Sequence, residues 1–407
     1  MRQHRPATHR LAPYRHPLVG IVVDGTGSFG RGVLRGVAAY ANLQRQWNLH
    51  MEIWPIEHRL DQLPDCDGVI FAGQRPAVLD AIRKRVKHIV TCSGNGDPSL
   101  SPVVSLDDFA AGAMAAAHLI ECRLERFAFC GPAYKGTGEN RFIGFRRALE
   151  ERGFTCIQSP PELAADTGWQ LEGNQDRIAA WAASLPTPIG VMTFDDAAAH
   201  ALARACLAAN IGVPDRIAII GVNNDDLLCE CSWPPMTSID CAWTRLGQKA
   251  AMVMEKLLAG QALSAEEWCT RLPPIGVVRR QSTDVLAVDD PNLADAIRYI
   301  REHACDPCTV EDVLEHVPVG RRWLERQFQK TLGRTPHDEM MRVRIETAQR
   351  LLTHATLALP DIAAKCGFSK STHFHAAFRR LSGTTPAVYR RNAFDRASGV
   401  RQTPRVL

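Results

Sequence analysis

Leu359–Arg391, LPDIAAKCGFSKSTHFHAAFRRLSGTTPAVYRR, decides how the C-terminal part of this 407-residue chain folds. Ile362 and Ala363 put apolar surface on a first helix. Gly367 can take the positive φ that a helix end requires, and Phe368 plugs the turn that follows. In the next helix Phe374, Phe378 and Leu381 recur at i, i+4 and i+7, which predicts one buried stripe. Its other face carries Ser371, Thr372 and His375, flanked by Lys370, Arg379 and Arg380. A short helix with a polar, cation-flanked outer face after a tight turn has the form of a major-groove reader.

The pattern occurs twice. Leu324, Phe328 and Gly333-Arg-Thr335-Pro336 return fifty residues later as Phe374, Phe378 and Gly383-Thr-Thr385-Pro386. The first unit runs Thr309–Val317, a turn at Pro318-Val319, then Gly320–Leu332. Pro318 replaces the glycine usual at such a turn, so the two turns are expected to differ. Asp338–Leu352, with Met341, Ile345, Ala348 and Leu352 on one face, is the expected connecting helix. Two readers on a rigid spacer can enter successive major-groove segments, roughly 34 Å apart. With Leu324 and Phe328 buried, the first reader offers Arg322, Glu325 and Arg326 to base edges. Arginine can bond guanine bidentately, and glutamate can accept from cytosine. Arg321 and Lys330 are placed to hold phosphates. In the second reader Ser371, Thr372 and His375 face the bases, with Lys370 and Arg379 beside them.

This stretch resembles the second helix-turn-helix of AraC/XylS-family transcription regulators. The shared run is I-A-x-x-x-G-F … F-x-x-x-F-[KR]-[KR] … G-x-T-P-x-x-Y-R, standing here as Ile362, Ala363, Gly367, Phe368, Phe374, Phe378, Arg379, Arg380, Gly383, Thr385, Pro386, Tyr389 and Arg390. The resemblance implies an all-α DNA-binding domain with two helix-turn-helix motifs, and RNA polymerase as a further partner.

Charge separates this part from the rest. Residues 291–407 hold 19 Lys and Arg against 12 Asp and Glu, a balance of +7, whereas residues 1–290 hold 29 against 32, a balance of −3. One part is suited to meet phosphate and the other is not. The length predicts two or three domains. An apolar fraction of 45% with 23% charged residues is ordinary for a soluble chain, and no apolar run is long enough to span a membrane. The first 17 residues contain four arginines and no acid but no apolar segment, so they predict a disordered basic tail, not a signal peptide. The 13 cysteines are odd in number and scattered among apolar neighbours, which suits reduced thiols and a cytoplasmic location. Cys305-Asp-Pro-Cys308 is the one C-x-x-C pair. Nothing completes a zinc site around it, and two helix-end thiols is the favoured reading.

From Leu18 short apolar runs alternate with amphipathic stretches. Strands are expected at Val19–Val23, Gly68–Phe71, His88–Thr91, Val103–Ser105, Phe127–Cys130, Gly190–Thr193 and Ile217–Val222. Helices are expected at Phe29–Tyr40, Asp108–Glu121, Glu139–Glu151 and Ala197–Ala209. Repeating β-α units predict parallel sheets with helices on both faces, and the span is too long for one sheet, so two lobes follow. Ligands of such sheets sit beyond the carboxyl ends of the strands. That rule selects Asp24, Ser93, Asn95, Asp195, Asn223, Asn224 and Asp225. Amides and carboxylates suit a polyhydroxylated ligand, and Phe29, Trp54 and Phe71 offer aromatic surface to a sugar's apolar face. Each polar residue also has a plainer reading. Asp195 could only cap the next helix, Asp24 could cap the glycine turn, and Arg141 could pair with Glu139. Gly25, Gly27 and Gly30 match G-x-G-x-x-G, but Trp54-Pro55 follows the next strand where a ribose-binding acid belongs, so no cofactor is expected. No metal site and no catalytic motif were found.

This region resembles the periplasmic-binding-protein-type sensor of LacI/GalR regulators in IVVDGTGSFGRGVLRGV, ENRFIGFRRALEERGF and VMTFDDAAAHALARACLAANIGVPDRIAIIGVNND. The resemblance implies a two-lobed, type I α/β fold, a role for Arg141 in holding sugar hydroxyls and a place for Asp195 at the ligand. It also implies a homodimer. Asn223 stands where the family usually has aspartate, and Phe194 replaces a residue that is often polar; both change what faces the ligand.

The expected organisation is a tail (1–17), a ligand-sensing domain (18–280), a linker (281–292), an AraC-type domain (293–392) and a C-terminal tail (393–407). RRQSTD at Arg279–Asp284, then Asp290-Pro291 and AIRYIREHA, resembles the join in regulators that couple these two domain types in this order. That implies double-stranded DNA as partner and a small sugar effector, D-xylose being the pentose implied. Two alternatives stand beside it: an effector other than a pentose, and a cysteine-based enzyme fused to a helix-turn-helix domain.

Overall fold

The computed structural model describes residues 16–391 apart from 24, 26, 45–46, 54–62, 74, 133–135, 164–173, 286–289 and 355–356. Nearly all of the expected basic tail and the whole of 393–407 therefore lie outside the described residues. The chain divides into two compact units, Met1–Val285 and Leu286–Leu407.

The first unit opens with β1 (Leu18–Val23), α1 (Ser28–Gln44), β2 (Asn48–Ile53), β3 (Gly68–Ala72), α2 (Pro76–Arg83), β4 (His88–Thr91) and β5 (Val103–Leu106). It continues through α3 (Asp108–Glu121), β6 (Phe127–Cys130), α4 (Thr137–Glu150), β7 (Cys156–Gln158), α5 (Gln175–Ser184), β8 (Ile189–Thr193), α6 (Asp196–Ala208), β9 (Ile217–Val222), α7 (Asp226–Cys231) and β10 (Thr237–Asp240). The last elements are α8 (Trp243–Leu258), α9 (Ala265–Trp268), β11 (Cys269–Leu272) and β12 (Gly276–Val278). Two six-stranded sheets result, ordered β11-β5-β4-β3-β1-β2 and β12-β10-β9-β8-β6-β7. Among the described residues only the β10–β12 pair is antiparallel. The two orders are the same winding used twice, with the reversal of direction between β1 and β3 in one lobe and β6 and β8 in the other.

Burial on both faces explains the apolar runs. Within β3, Ile70 and Ala72 face one core while Val69 and Phe71 face another beneath α2. Phe71 is thus a core residue, which corrects its expected place at the ligand: strand alternation turns it away. Trp54 lies outside the described residues.

The chain crosses between the lobes three times, at Asp107, at Cys241–Ala242 and between β11 and β12. The crossings are tied side by side. Asp107 N donates to Leu272 O (2.8 Å), and Ile275 N donates to Asp240 O (2.8 Å). Glycine lets the flanking helices approach closely. A Cβ at Gly144 would fall 2.1 Å from Phe109 O between α3 and α4, and one at Gly36 would fall 2.1 Å from Thr244 O between α1 and α8.

The linker expected at 281–292 begins too early. Ser282 is wholly buried, donates its hydroxyl to Ile219 O (2.6 Å) and accepts from Thr237 N (2.8 Å). Its hydroxyl satisfies backbone groups of the second sheet, so a run that looks polar packs as core.

The second unit comprises α10 (Pro291–His303), α11 (Val310–His316), α12 (Arg321–Leu332), α13 (Pro336–His354), α14 (Leu359–Lys365) and α15 (Ser371–Ser382). Asp290 caps α10, accepting from Asn292 N and Leu293 N, so that helix starts two residues before the expected Leu293. The long α13 serves two cores. Met340 and Val343 pack with Leu324 and Phe328, whereas Met341, Ile345, Ala348 and Leu352 pack with Phe374 and Phe378. One helix buried from both sides makes a stiff spacer. Leu381, expected in the buried stripe of α15, is 47% exposed because the stripe ends at Phe378.

Candidate functional site

The residues between the lobes enclose a cavity of about 70 Å³ directly over the crossings. Of the residues expected at the ligand, Phe29, Ser93, Arg141, Asp195 and Asn223 line it. Phe194, expected to face the ligand, lines it too, and Ser105, Asp108, Thr137 and Trp243 join them without having been expected there. Asp108 follows the first crossing and Trp243 follows the second.

Arg141, buried in α4, organises the polar side. Its Nε donates to Asp108 Oδ1 (2.8 Å), Nη1 to Phe194 O (2.5 Å) and Nη2 to Asn223 Oδ1 (3.4 Å). Its guanidinium lies 5.1 Å from the centre of the Phe194 ring. The expected alternative pairing with Glu139 does not occur: Arg141 turns inward from the helix to meet the acid at the crossing. Asp195 does cap α6, accepting from Ala198 N (2.9 Å), and it also lines the cavity. Burial pushes its carboxyl above the ordinary range, against the pull of the Ala198 amide and Arg141.

Phe29 and Trp243 meet edge to face with centroids 4.8 Å apart and form the aromatic wall. Trp243 Nε1 is buried and has no hydrogen-bond partner among the described residues. A buried N–H without an acceptor costs about 1–3 kcal/mol.

Other expected residues are placed differently. Asn95 is exposed and its Oδ1 accepts from Thr137 N (3.0 Å), so it closes the start of α4 and does not line the cavity. Asn224 Oδ1 accepts from Arg280 Nη2 (3.1 Å), outside the cavity. Asp24 lies outside the described residues. Asp225 bridges the lobes: its Oδ2 accepts from Ser28 N (2.8 Å) and Arg31 Nη2 (2.9 Å) at the start of α1. Cys92 also lines the cavity, but burial pushes its thiol up, the reverse of what a nucleophile needs.

In the second unit the candidate nucleic-acid interface is the outer faces of α12 and α15. Arg322, Glu325, Arg326 and Lys330 are exposed there. Arg321 donates to Glu311 (2.5 Å) and Glu325 (3.1 Å), so the expected cytosine reader shares an ion pair with the expected phosphate holder. Lys370, Ser371, Thr372 and Arg379 are exposed. His375 is half-buried with its ring 5.5 Å from that of Phe374. His373 is exposed on α15 and was not singled out; its flanking by Thr372 and Phe374 was the available signal.

The two turns differ as expected. Val317 ends α11 in an extended conformation (φ −114°), whereas Gly367 takes φ +75°. Arg344 of α13 joins the halves. Its Nε donates to Ala304 O (2.6 Å), and its guanidinium lies 5.8 Å from the centre of the Phe368 ring.

A periplasmic binding protein-like domain family matches residues 116–283, and a helix-turn-helix domain family matches residues 314–392. The chain is 29% identical over 386 residues to the xylose operon regulatory protein of Escherichia coli strain K12, covering 92% of this chain and 97% of that one. It is 27% identical over 384 residues to the protein of the same name from Haemophilus influenzae, covering 92% and 98%. The solved structure of the xylose-binding transcription activator XylR superimposes with a TM-score of 0.74 at 27% identity, covering 93% of this chain and 98% of that one. No described helix is long and apolar enough to cross a membrane.

Proposed function

We propose, on the premise that the chain is a transcription regulator in which a periplasmic-binding-protein-like sensor precedes an AraC-type helix-turn-helix domain, that its effector is a pentose held between the lobes. The observation that carries this is the cavity that Asp108, Asp195, Arg141 and Asn223 line together with the edge-to-face Phe29–Trp243 pair. A sugar hydroxyl can donate to a carboxylate and accept from a guanidinium or amide N–H, and Phe29 and Trp243 offer flat apolar surface to the ring's C–H face. The small volume favours a monosaccharide, and the xylose regulators among the relatives make D-xylose the first candidate.

Binding across two lobes stabilises the closed arrangement by the ligand's differential affinity for it, and operator binding shifts by that amount. In the DNA-binding domain Arg322, Glu325 and Arg326 read bases, Arg321 and Lys330 hold phosphates, and Ser371, Thr372 and His375 form the second, less discriminating reader, with Lys370 and Arg379 on its backbone contacts. A homodimer acting with RNA polymerase in the cytoplasm completes the reading.

Calorimetric titration of D-xylose, L-arabinose, D-ribose and D-glucose tests the effector, with melting temperature as a second readout. Saturation at about 100 times Kd should stabilise the sensor by about 2.7 kcal/mol. No heat and no thermal shift with any of the four sugars would overturn the sugar reading.

A further inference from the structure

Resting on the cavity as the effector site, we propose that the turn Asn223–Asp225 transmits its occupancy to the end of the sensor through Arg280. Three consecutive side chains of this turn point at three different parts of the molecule. Asn223 lines the cavity beside Arg141. Asn224 accepts from Arg280 Nη2 (3.1 Å). Asp225 accepts from Arg31 and Ser28 of the opposite lobe.

The backbone of the turn is held in an unfavourable shape. Asn223 has φ +110° and Asn224 has φ +47°, two successive non-glycine residues at positive φ. Asn223 lies outside even the left-handed basin near +57°, so outside contacts hold it there. Asn223 N donates to Ile239 O (3.0 Å) and Asn224 N to Ser238 Oγ (3.0 Å). A strained turn whose contacts reach the cavity, the opposite lobe and the exit segment can settle into a second arrangement when one of the three changes.

Arg280 is built to receive that change. Its side chain is 9% exposed, and Nε donates to Glu230 (2.8 Å) while Nη1 donates to Met236 O (3.0 Å). Its own backbone N donates to Thr237 Oγ1 (2.8 Å). The next residues form the buried turn Gln281–Thr283, and the unit ends at Val285, from which the chain continues to the DNA-binding unit. Every link from Arg141 to Arg280 is a direct bond or a peptide unit.

Asn224→Gly keeps the φ and removes the acceptor. In the full chain it should leave the D-xylose Kd within about threefold, while the ratio of operator Kd with and without D-xylose falls toward one from the 5–150-fold typical of coupled sites. Arg280→Lys should do the same. A ratio unchanged from wild type in both variants overturns the proposal. A ligand-free arm separates it from the sugar assignment: Asn223→Gly, which relaxes the turn, should speed amide hydrogen exchange at residues 280–283 about tenfold or more, and Asn95→Gly, beside the start of α4, should not. If wild type responds to none of the four sugars, the sugar reading fails and exchange alone decides; unchanged exchange in Asn223→Gly overturns the transmission.

Discussion

Arg141 Nε donates to Asp108 Oδ1 across 2.8 Å with both side chains almost wholly buried. Removing one member of such a pair strands the other's charge in a low-dielectric site. Arg141→Ala should cost the sensor about 3–5 kcal/mol, and Arg141→Ala with Asp108→Ala should cost less than the sum of the single changes. Urea unfolding of the three variants measures this. A single-variant loss below 1 kcal/mol would show that water reaches the pair.

The legible part of the sensor was its centre. β1, β3, β4, β6, β8 and β9 are buried apolar runs, and such runs are visible because parallel strands are covered on both faces. The strands that went unseen are short, polar or at sheet edges. β2 is mixed and half exposed, β7 is Cys-Ile-Gln, and β12 closes one edge. β10 is buried yet reads Thr-Ser-Ile-Asp, because hydroxyl partners Ser282 and Thr283, 45 and 46 residues beyond Thr237, satisfy it. The strand-end rule selects Ser93, Asp195 and Asn223, which line the cavity. It applies equally to Asp108, two residues past β5, which was passed over as a helix start. Trp243 carried no local signal, since its role depends on a crossing that only the assembled lobes define.

Two buried groups should oppose each other in the pH dependence of stability. Burial pulls His118 down to about 4 and pushes the Asp196 carboxyl up to about 7. Between about 4 and 6.5 the unfolded chain takes a proton that folded His118 refuses, so its contribution is lost as pH falls. Over about 4 to 7 the folded chain keeps a proton on Asp196 that the unfolded chain has released, so this contribution is lost as pH rises. Asp196→Asn should therefore steepen the loss of stability on acidification, and His118→Gln should reverse its sign. Melting temperatures from pH 4.5 to 7.5 decide the matter; parallel curves for the two variants would refute both assignments.

Exposure alone does not separate a base reader from a phosphate holder, but position on α12 does. Arg326 lies one turn in from the helix start with Arg322 beside it, and Lys330 lies at the last turn. Arg326→Ala should reduce the preference for operator over random duplex by about 1–3 kcal/mol, whereas Lys330→Ala should weaken both alike and flatten the salt dependence. Quantitative gel shifts at two salt concentrations distinguish them. Equal losses on both duplexes for Arg326→Ala would move that residue to the backbone.

Glu339 is the sharpest departure from the internal repeat. Three residues after Pro336 it occupies the place that Tyr389 holds three residues after Pro386. Tyr389 packs edge-on to Phe378, with centroids 5.5 Å apart. Glu339 is wholly buried instead, 2.6 Å from Arg334, 2.7 Å from Arg342 and 3.5 Å from Arg301. Burial would raise this carboxyl, yet Arg342, Arg301 and Arg334 together hold it below its ordinary value. It thereby ties α10 and the Gly333-Arg334 end of α12 to the start of α13. Glu339→Gln leaves three guanidinium groups without their shared anion and should cost the second unit about 3 kcal/mol or more. Glu339→Tyr, although it restores the repeat, should do no better, because an aromatic ring cannot neutralise the arginines. Weaker operator binding should accompany both, through a loosened α12, while sugar affinity stays as in wild type. Calorimetric unfolding together with operator titration tests this, and a Glu339→Tyr variant as stable as wild type would mean that packing, not charge, holds the first reader.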